Sequence, residues 1–407
     1  MSDPWFSKNL EFVGYTDQGG MPGGTQVMLN KGYVFIGKNE GVSVIDVRDP
    51  RNPHQVNFLD GDKGSWHIHL QTHDDLLMVI DSVDFYMVKP IETDYYGGSI
   101  KGVHSTNYGE VGKDFTAGMR IYDISDPANP RKIGYLSVPG CGLHRIWYDG
   151  GNYAYASALI DGFTDHIFLT IDVSDPTNPF EVSRWWIPGM FRDGGEEPTW
   201  SNRWALHHAV IADGVAYGGW RDGGLVVLDV ADPAHPHEIV HRNWCPPFGG
   251  GTHSCLPLHD RDLLIVNDEA VLDNCADQVK YTWVFDIRDK SNPISISTFP
   301  TPSERDYCAE PGHFGPHNMH ENRIGSWQSS EIIFATYQNA GLRVYDIANP
   351  YQPQETAYFV PPLPERMTER RKGRPLATHT TDVFVDTEGL AYITDYNAGM
   401  YVLQYNP

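Results

Sequence analysis

Six histidines stand at the same point of six short segments in this chain of 407 residues. They are His67 in SWHIHL, His144 in GLHRIW, His207 in ALHHAV, His253 in GTHSCL, His317 in GPHNMH and His379 in ATHTTD. A seventh segment, GTQVML, carries Gln26 at that place. Neutral imidazole is the commonest protein ligand for zinc, iron and copper. Three or four imidazoles around one point would hold a divalent ion, leaving the rest as acid–base or supporting groups. The expected ligands are therefore three or four of His67, His144, His207, His253, His317 and His379, with Gln26 as a further candidate. The expected cofactor is zinc, iron, manganese or copper. His69 follows His67 by two residues, so on a strand it points to the same face. His313 and Glu310 precede His317 in AEPGHFGPHNMH. His69, Glu310 and His313 are the candidates for acid–base work beside the ion, although an ordinary solvated carboxylate is the commoner fate of a residue such as Glu310.

These residues meet only if the segments are equivalent parts of a repeat, and the turns show that they are. One phrase returns through the chain: VIDVRDPRNP, IYDISDPANP, TIDVSDPTNP, VLDVADPAHP, VFDIRDKSNP and VYDIANPYQP, with a worn copy, VLQYNP, at the end. Asp175 to Asp232 and Asp232 to Asp289 are each 57 residues apart, and the longer interval of 77 from Asp49 to Asp126 implies an insertion. Each phrase joins a β-branched strand to an Asp-Pro turn, in which the carboxylate accepts backbone N–H groups and Pro presets φ. Two strands precede each phrase and one follows it. Four strands per unit, seven units and no helical periodicity predict an all-β fold, a seven-bladed β-propeller read as one domain over residues 1–407. The last unit lacks a fourth strand, and NLEFVGYTDQGG (9–20) matches that strand elsewhere. The N-terminal strand is expected to complete the last blade, which removes exposed edges.

The segments LMVID, GLVVLDV and DLLIVND resemble the LVIVD-repeat family of β-propellers. The resemblance implies the fold and no particular reaction. Because innermost strands line a propeller's channel, the aligned histidines are expected to form one ring. A competing use exists: WD-repeat propellers carry a His near this connection as part of a hydrogen-bonded blade network.

Insertions at 83–116, 190–204, 266–281 and 361–376 are all expected on the rim that the histidines face. Long loops over a concave site act as lids and specificity elements. Tyr86 and Tyr95 suit an organic substrate, and Arg192 and Arg366 suit a carboxylate. The alternatives are a seal over the channel end and a homo-oligomer contact.

Composition removes other classes. Against 30 Lys and Arg stand 53 Asp and Glu, a net charge of −23, and basic residues are scattered, so nucleic acid is not an expected partner. No window offers ~18 consecutive apolar residues, so no membrane span is expected. The five cysteines are odd in number and lack a CxxC pair, which reads as reduced thiols in a cytoplasmic protein. No P-loop, GxGxxG, HExxH or GxSxG motif occurs. The function expected is a metal-dependent enzyme acting on a small polar organic molecule by Lewis-acid and general-base chemistry, as a lyase, hydratase or hydrolase. The alternatives are an all-His iron or copper oxygenase or oxidase, and a non-enzymatic interaction propeller with structural histidines.

Overall fold

The Asp-Pro phrase folds as its chemistry dictates. At Asp126 the carboxylate accepts the backbone N–H of Ala128 at 3.2 Å and the side-chain amide of Asn129 at 2.9 Å. The N–H of Asn129 bonds back to the Asp126 carbonyl at 3.0 Å. Asp49 and Asp175 repeat the arrangement around their own turns, and at Asp289 the carboxylate accepts the backbone N–H and hydroxyl of Ser291. In five of the phrases the pairing between the strand before the turn and the strand after it carries a register shift, as at Ile121/Tyr122, Thr170/Ile171 and Val227/Leu228. A bulge recurring at one repeat position is part of the unit's design.

The computed structural model describes residues 5–84, 114–368 and 374–406, and the chain divides into two compact units. The first comprises Gly37–Val42 and Phe58–Thr252. It holds three antiparallel meanders. One runs through Leu70–His73, Leu76–Val83, Gly118–Asp123 and Arg131–Ser137, with the short Ser65–Trp66 also on Leu76–Val83. The next is Gly142–Trp147, Tyr153–Leu159, Ile167–Asp172 and Phe180–Trp185, and the third is Trp204–Ala212, Val215–Arg221, Leu225–Asp229 and His237–Arg242.

The second unit comprises Met1–Ile36, Ser43–Asn57 and His253–Pro407. Its meanders are Thr252–Leu258 through Ile294–Thr298, then Ile332–Thr336, Leu342–Asp346 and Gln354–Val360, then Thr380–Val385, Leu390–Asp395 and Gly399–Tyr405. The sheet Val27–Asn30, Tyr33–Gly37, Gly41–Asp46 and His54–Asp60 belongs largely to this unit. As expected, the N-terminal strand Leu10–Thr16 supplies the fourth strand of the last meander, with Leu10 opposite Tyr405 and Thr16 opposite Met400. A further strand with no counterpart in the repeat, Phe6–Lys8, pairs with Gln354–Val360 of the meander before it. These sheets are compatible with the seven units counted in the sequence.

Middle strands are buried on both faces. Every residue of Gly41–Asp46 is buried, as are all but the last of Leu225–Asp229. Stacked sheets cover both sides of a strand, so runs such as LVVLD need no polar face. Gly224, at φ 80°, opens its strand where an added Cβ would run into the carbonyl of Arg242. Only glycine tolerates both demands.

A second pattern stitches neighbouring sheets within each unit. Ser or Thr hydroxyls donate to inner-strand carbonyls of the next sheet: Ser82 to Cys141 at 2.9 Å, Ser157 to His207 at 2.8 Å, Thr336 to Thr381 at 3.0 Å and Thr394 to Thr25 at 2.6 Å. The inner strands are irregular at this point, with register shifts between Leu143 and Ile146, between Trp204 and His208, and between Thr380 and Asp382. Three of the aligned histidines therefore sit on or beside interrupted ladders, where backbone geometry re-aims side chains.

Candidate metal centre

His253, Glu269 and His317 come together in the second unit, each offering one ligand atom, all within 4.8 Å of one another. The three are 0%, 7% and 8% exposed. His253 Nε2 lies 3.3 Å from Glu269 Oε2, and His317 Nε2 lies 3.5 Å from Glu269 Oε1. The two rings are 4.6 Å apart. Charge-assisted contacts close to about 2.7–2.9 Å when the groups pair directly, so this carboxylate is shared loosely between two imidazoles.

The proton on His317 is assigned by its other nitrogen. Nδ1 forms a short hydrogen bond with the Thr381 carbonyl, and a carbonyl only accepts. Nδ1 therefore carries the proton, and in the neutral ring Nε2 keeps its lone pair, aimed at Glu269. A ligating histidine ordinarily donates its far N–H to a carbonyl or carboxylate in this way.

Glu269 comes from the expected rim insertion 266–281, immediately after strand Leu263–Asp268. The segment leading to His317 is held from below: fully buried Arg343 pairs with Glu304 at 2.7 Å and donates to the Tyr307 hydroxyl at 2.9 Å. Tyr307 stacks on Phe314 at 5.3 Å in a small core with Tyr337 and Ala340. Cys275 and Cys308 form a disulfide between the two donor-bearing loops. This corrects the expectation of five reduced thiols. Free Cys141 and Cys255 are buried, and burial raises both thiols well above their usual range, which weakens them as nucleophiles.

His379 and His313 extend the group: His317 to His379 is 6.2 Å between ring centres, and His379 to His313 is 5.3 Å. His313 Nε2 faces Asp273 at 3.6 Å, and Arg374 pairs with the same carboxylate. His379 is half-buried and Asp273 is partly exposed, so this side of the group approaches solvent. Asp273 and Arg374 were not singled out from sequence, although both lie in expected rim insertions.

The other predicted residues are distributed differently. In the first unit His144 and His207 meet His69, with ligand atoms within 4.8 Å, and the ring centres of His69 and His207 each lie 4.7 Å from that of His144. His67 does not join them. Its Nδ1 pairs with Asp81 at 2.8 Å, and Arg120 holds the same carboxylate at 2.8 Å. Burial would raise the Asp81 carboxyl, but His67 and Arg120 outweigh it and hold it below its usual range. His67 thus serves a hydrogen-bonded network within its sheet. The inner strand breaks between Ser65–Trp66 and Leu70–His73, so His67 and His69 do not share a face. His208 packs near Trp147 at 6.1 Å.

Gln26 is buried near Asp382, His320 and Arg323 and belongs to neither histidine group. Glu310 is a surface residue 3.8 Å from Arg305. Arg192 pairs with Glu197 at 2.7 Å, and Arg366 donates to the Gly20 carbonyl at 2.7 Å. None of these contacts places Glu310, Arg192 or Arg366 in either histidine group. Tyr86 and Tyr95 lie outside the described residues. His166, missed because it lies outside the aligned segments, sits 5.5 Å from His144 and pairs with Asp165 at 2.7 Å.

The LVIVD repeat matches at residues 24–58, 107–136, 150–185 and 210–242. Solved propellers resemble the whole chain. The β-propeller domain of Cps50 (Swd1) from Myceliophteria thermophila has a TM-score of 0.54 at 10% identity, covering 95% of this chain and 98% of its own. The periplasmic gluconolactonase PpgL of Pseudomonas aeruginosa has a TM-score of 0.52 at 10% identity, covering 98% and 100%. The computationally designed protein Ika8 aligns at 0.52 and 10%, covering 97% and 100%. At this identity the likeness shows the fold alone. No curated protein matches the sequence significantly. Fold and repeats together define the class: the chain has the β-propeller fold and carries LVIVD repeats.

Proposed function

We propose that the protein is a metal-dependent enzyme acting on a small polar organic molecule, with the ion held by His253, Glu269 and His317. The observation carrying this reading is the buried carboxylate facing two imidazole nitrogens at 3.3 and 3.5 Å, one of them with its proton assigned to the far side. Two His and one carboxylate are a known donor set for zinc in hydrolytic sites and for non-haem iron. When bound, the ion would polarise a substrate carbonyl or water. The chain's own residues supply the remainder. Glu269 offsets cationic charge in a buried place, and the Thr381 carbonyl fixes the orientation of His317. His313, with Nε2 toward Asp273, is the group suited to hold or pass a proton at the more open side. Arg374, on Asp273, is the cation suited to a substrate carboxylate.

Lewis-acid chemistry of the lyase, hydratase or hydrolase kind is the favoured reading. The same donor set also favours iron with oxygen as a second one. A cystine persists chiefly in oxidising compartments, so the Cys275–Cys308 bond favours such a location over the expected cytoplasm. Elemental analysis of untagged protein, loaded anaerobically with zinc, manganese or ferrous iron and freed of excess, tests the reading. One ion per chain, lost in His253→Ala, is expected. Failure of the folded, unmutated protein to retain any of the three would overturn it. Oxygen consumption by the iron form would select the oxygenase.

A further inference from the structure

The histidines of the first unit are as close together as those around Glu269, yet the charged side chain that touches them is an arginine and not a carboxylate. Arg145, 2% exposed, places Nη1 at 3.2 Å from His69 Nδ1. An arginine only donates, so His69 Nδ1 accepts and the neutral ring carries its proton on Nε2. That arrangement is wrong for a metal ligand. If Nε2 faced an ion it would have to lose its proton, and if Nδ1 did, Arg145 would have to leave. His69 is instead set as an N–H donor.

His144 lies between His69 and His207, and its buried Nδ1 has no hydrogen-bond partner among the described residues. Burial pushes the His144 imidazole well below its usual range, and His166 and then Arg221, Arg145 and Arg203 push it the same way. Arg203 pairs with Asp165, with Nε 2.8 Å from Oδ2, and Arg145 also reaches His208 Nδ1 at 3.5 Å through Nη2. No carboxylate lies in the His69–His144–His207 group itself. Buried charge of one sign favours an ion of the other.

We propose that His69, His144 and His207, with Arg145 behind them, form a binding site for a small oxyanion of the carboxylate class. Arg145 provides charge, His69 provides an N–H, and His144 provides the nitrogen that lacks a protein partner. The site is independent of the metal reading, because all its residues belong to the other unit.

The test titrates the full-length protein with sodium formate at constant ionic strength, reading the thermal midpoint and the histidine ring resonances by NMR. Saturable binding is expected, with His144 and His69 signals shifting. His144→Leu should weaken it by roughly tenfold or more, and Glu269→Gln should leave it unchanged. Because Arg145 variants risk misfolding, cobalt(II) absorption provides a second measurement. Cobalt bound to the unmutated chain should vanish in Glu269→Gln and persist in His144→Leu. Absence of saturable formate binding by folded protein would overturn the proposal. So would a cobalt signal lost in His144→Leu but kept in Glu269→Gln. Loss of cobalt binding altogether, with formate binding intact, would strike the metal reading and leave this one standing.

Discussion

Nε2 of His317 stands 3.5 Å from Oε1 of Glu269, with the His317 proton committed to the Thr381 carbonyl on the far side of the ring. A lone pair and a carboxylate oxygen facing each other in a buried place are mutually repulsive unless a proton or a cation lies between them. That relationship separates this group from the two fully buried His–carboxylate pairs of the first unit. His67–Asp81 and His166–Asp165 close to 2.8 and 2.7 Å, as direct hydrogen-bonded pairs do.

Glu269→Gln therefore removes the charge that balances the ion while keeping the shape of the site. Cobalt or zinc affinity is expected to fall by on the order of a hundredfold or more, since even residues one step removed from a metal cost about 10- to 100-fold. Glu310→Gln, at a surface residue beside Arg305, should leave affinity within a factor of two or so. Competition against a chromophoric chelator measures both. Equal effects would show that Glu269 is not a ligand.

The disulfide between Cys275 and Cys308 joins the loop bearing Glu269 and Asp273 to the one bearing His313 and His317. The two cysteines are 33 residues apart, and closing a loop of that size contributes about 2–4 kcal/mol. Replacing both with Ser should lower the urea midpoint accordingly. It should also weaken metal binding more than the stability loss alone explains, because carboxylate and imidazole then reorganise on binding. Dithiothreitol treatment of the unmutated protein should reproduce the metal effect, and the double variant should not respond to it.

The parts of this structure that read directly from sequence are those determined locally. Asp126, Pro127 and Asn129 make their turn from neighbouring groups, so repetition of the phrase exposed each sheet. The aligned positions of His253, His317 and His379 followed from the same repeat. Glu269 carried no such signal: it lies in a non-repeating loop beside Asp268, which instead accepts the Trp283 indole N–H at 2.6 Å. His67 turns into the Asp81–Arg120 network while His69 faces His144, because their strand breaks between them, which strand alternation does not anticipate. Cys275 and Cys308 have no spacing that announces a bond; the packing of Tyr307 and Phe314 and the backbone bridge between Asp273 and His313 bring their loops together. Arg145 acts on His69 from another sheet, a contact between residues 76 apart that repeat alignment does not report.

The assignment of His67 to structure makes a separable prediction. His67→Leu leaves Asp81 and Arg120 buried with one partner fewer, and breaking a buried charged network costs about 3–5 kcal/mol. The variant should lose thermal stability and still bind one equivalent of cobalt when folded at low temperature. His253→Leu should do the reverse, keeping most of its stability and losing cobalt. If His67→Leu abolished cobalt binding in folded protein, the distinction between the two histidines would be lost.

His320 gives the fold a pH response of definite sign. Its Nδ1 accepts the Val385 backbone N–H at 3.1 Å, and its Nε2 lies 2.8 Å from the Trp327 carbonyl, to which it donates. Both nitrogens are thus satisfied only in the neutral ring; a second proton would face the Val385 N–H. Burial lowers the imidazole from 6.5 to about 4, against the opposing effect of the Trp327 carbonyl. The unfolded chain therefore binds the proton first. This contribution to stability is complete above pH 6.5, falls as pH drops toward about 4, and changes no further below that. Its full size is on the order of 3 kcal/mol. Urea midpoints measured at pH 7.5 and pH 5 should show the loss, and His320→Gln, which cannot titrate, should be less stable at pH 7.5 yet lose less between the two. An unchanged slope in that variant would assign the acid sensitivity to other groups.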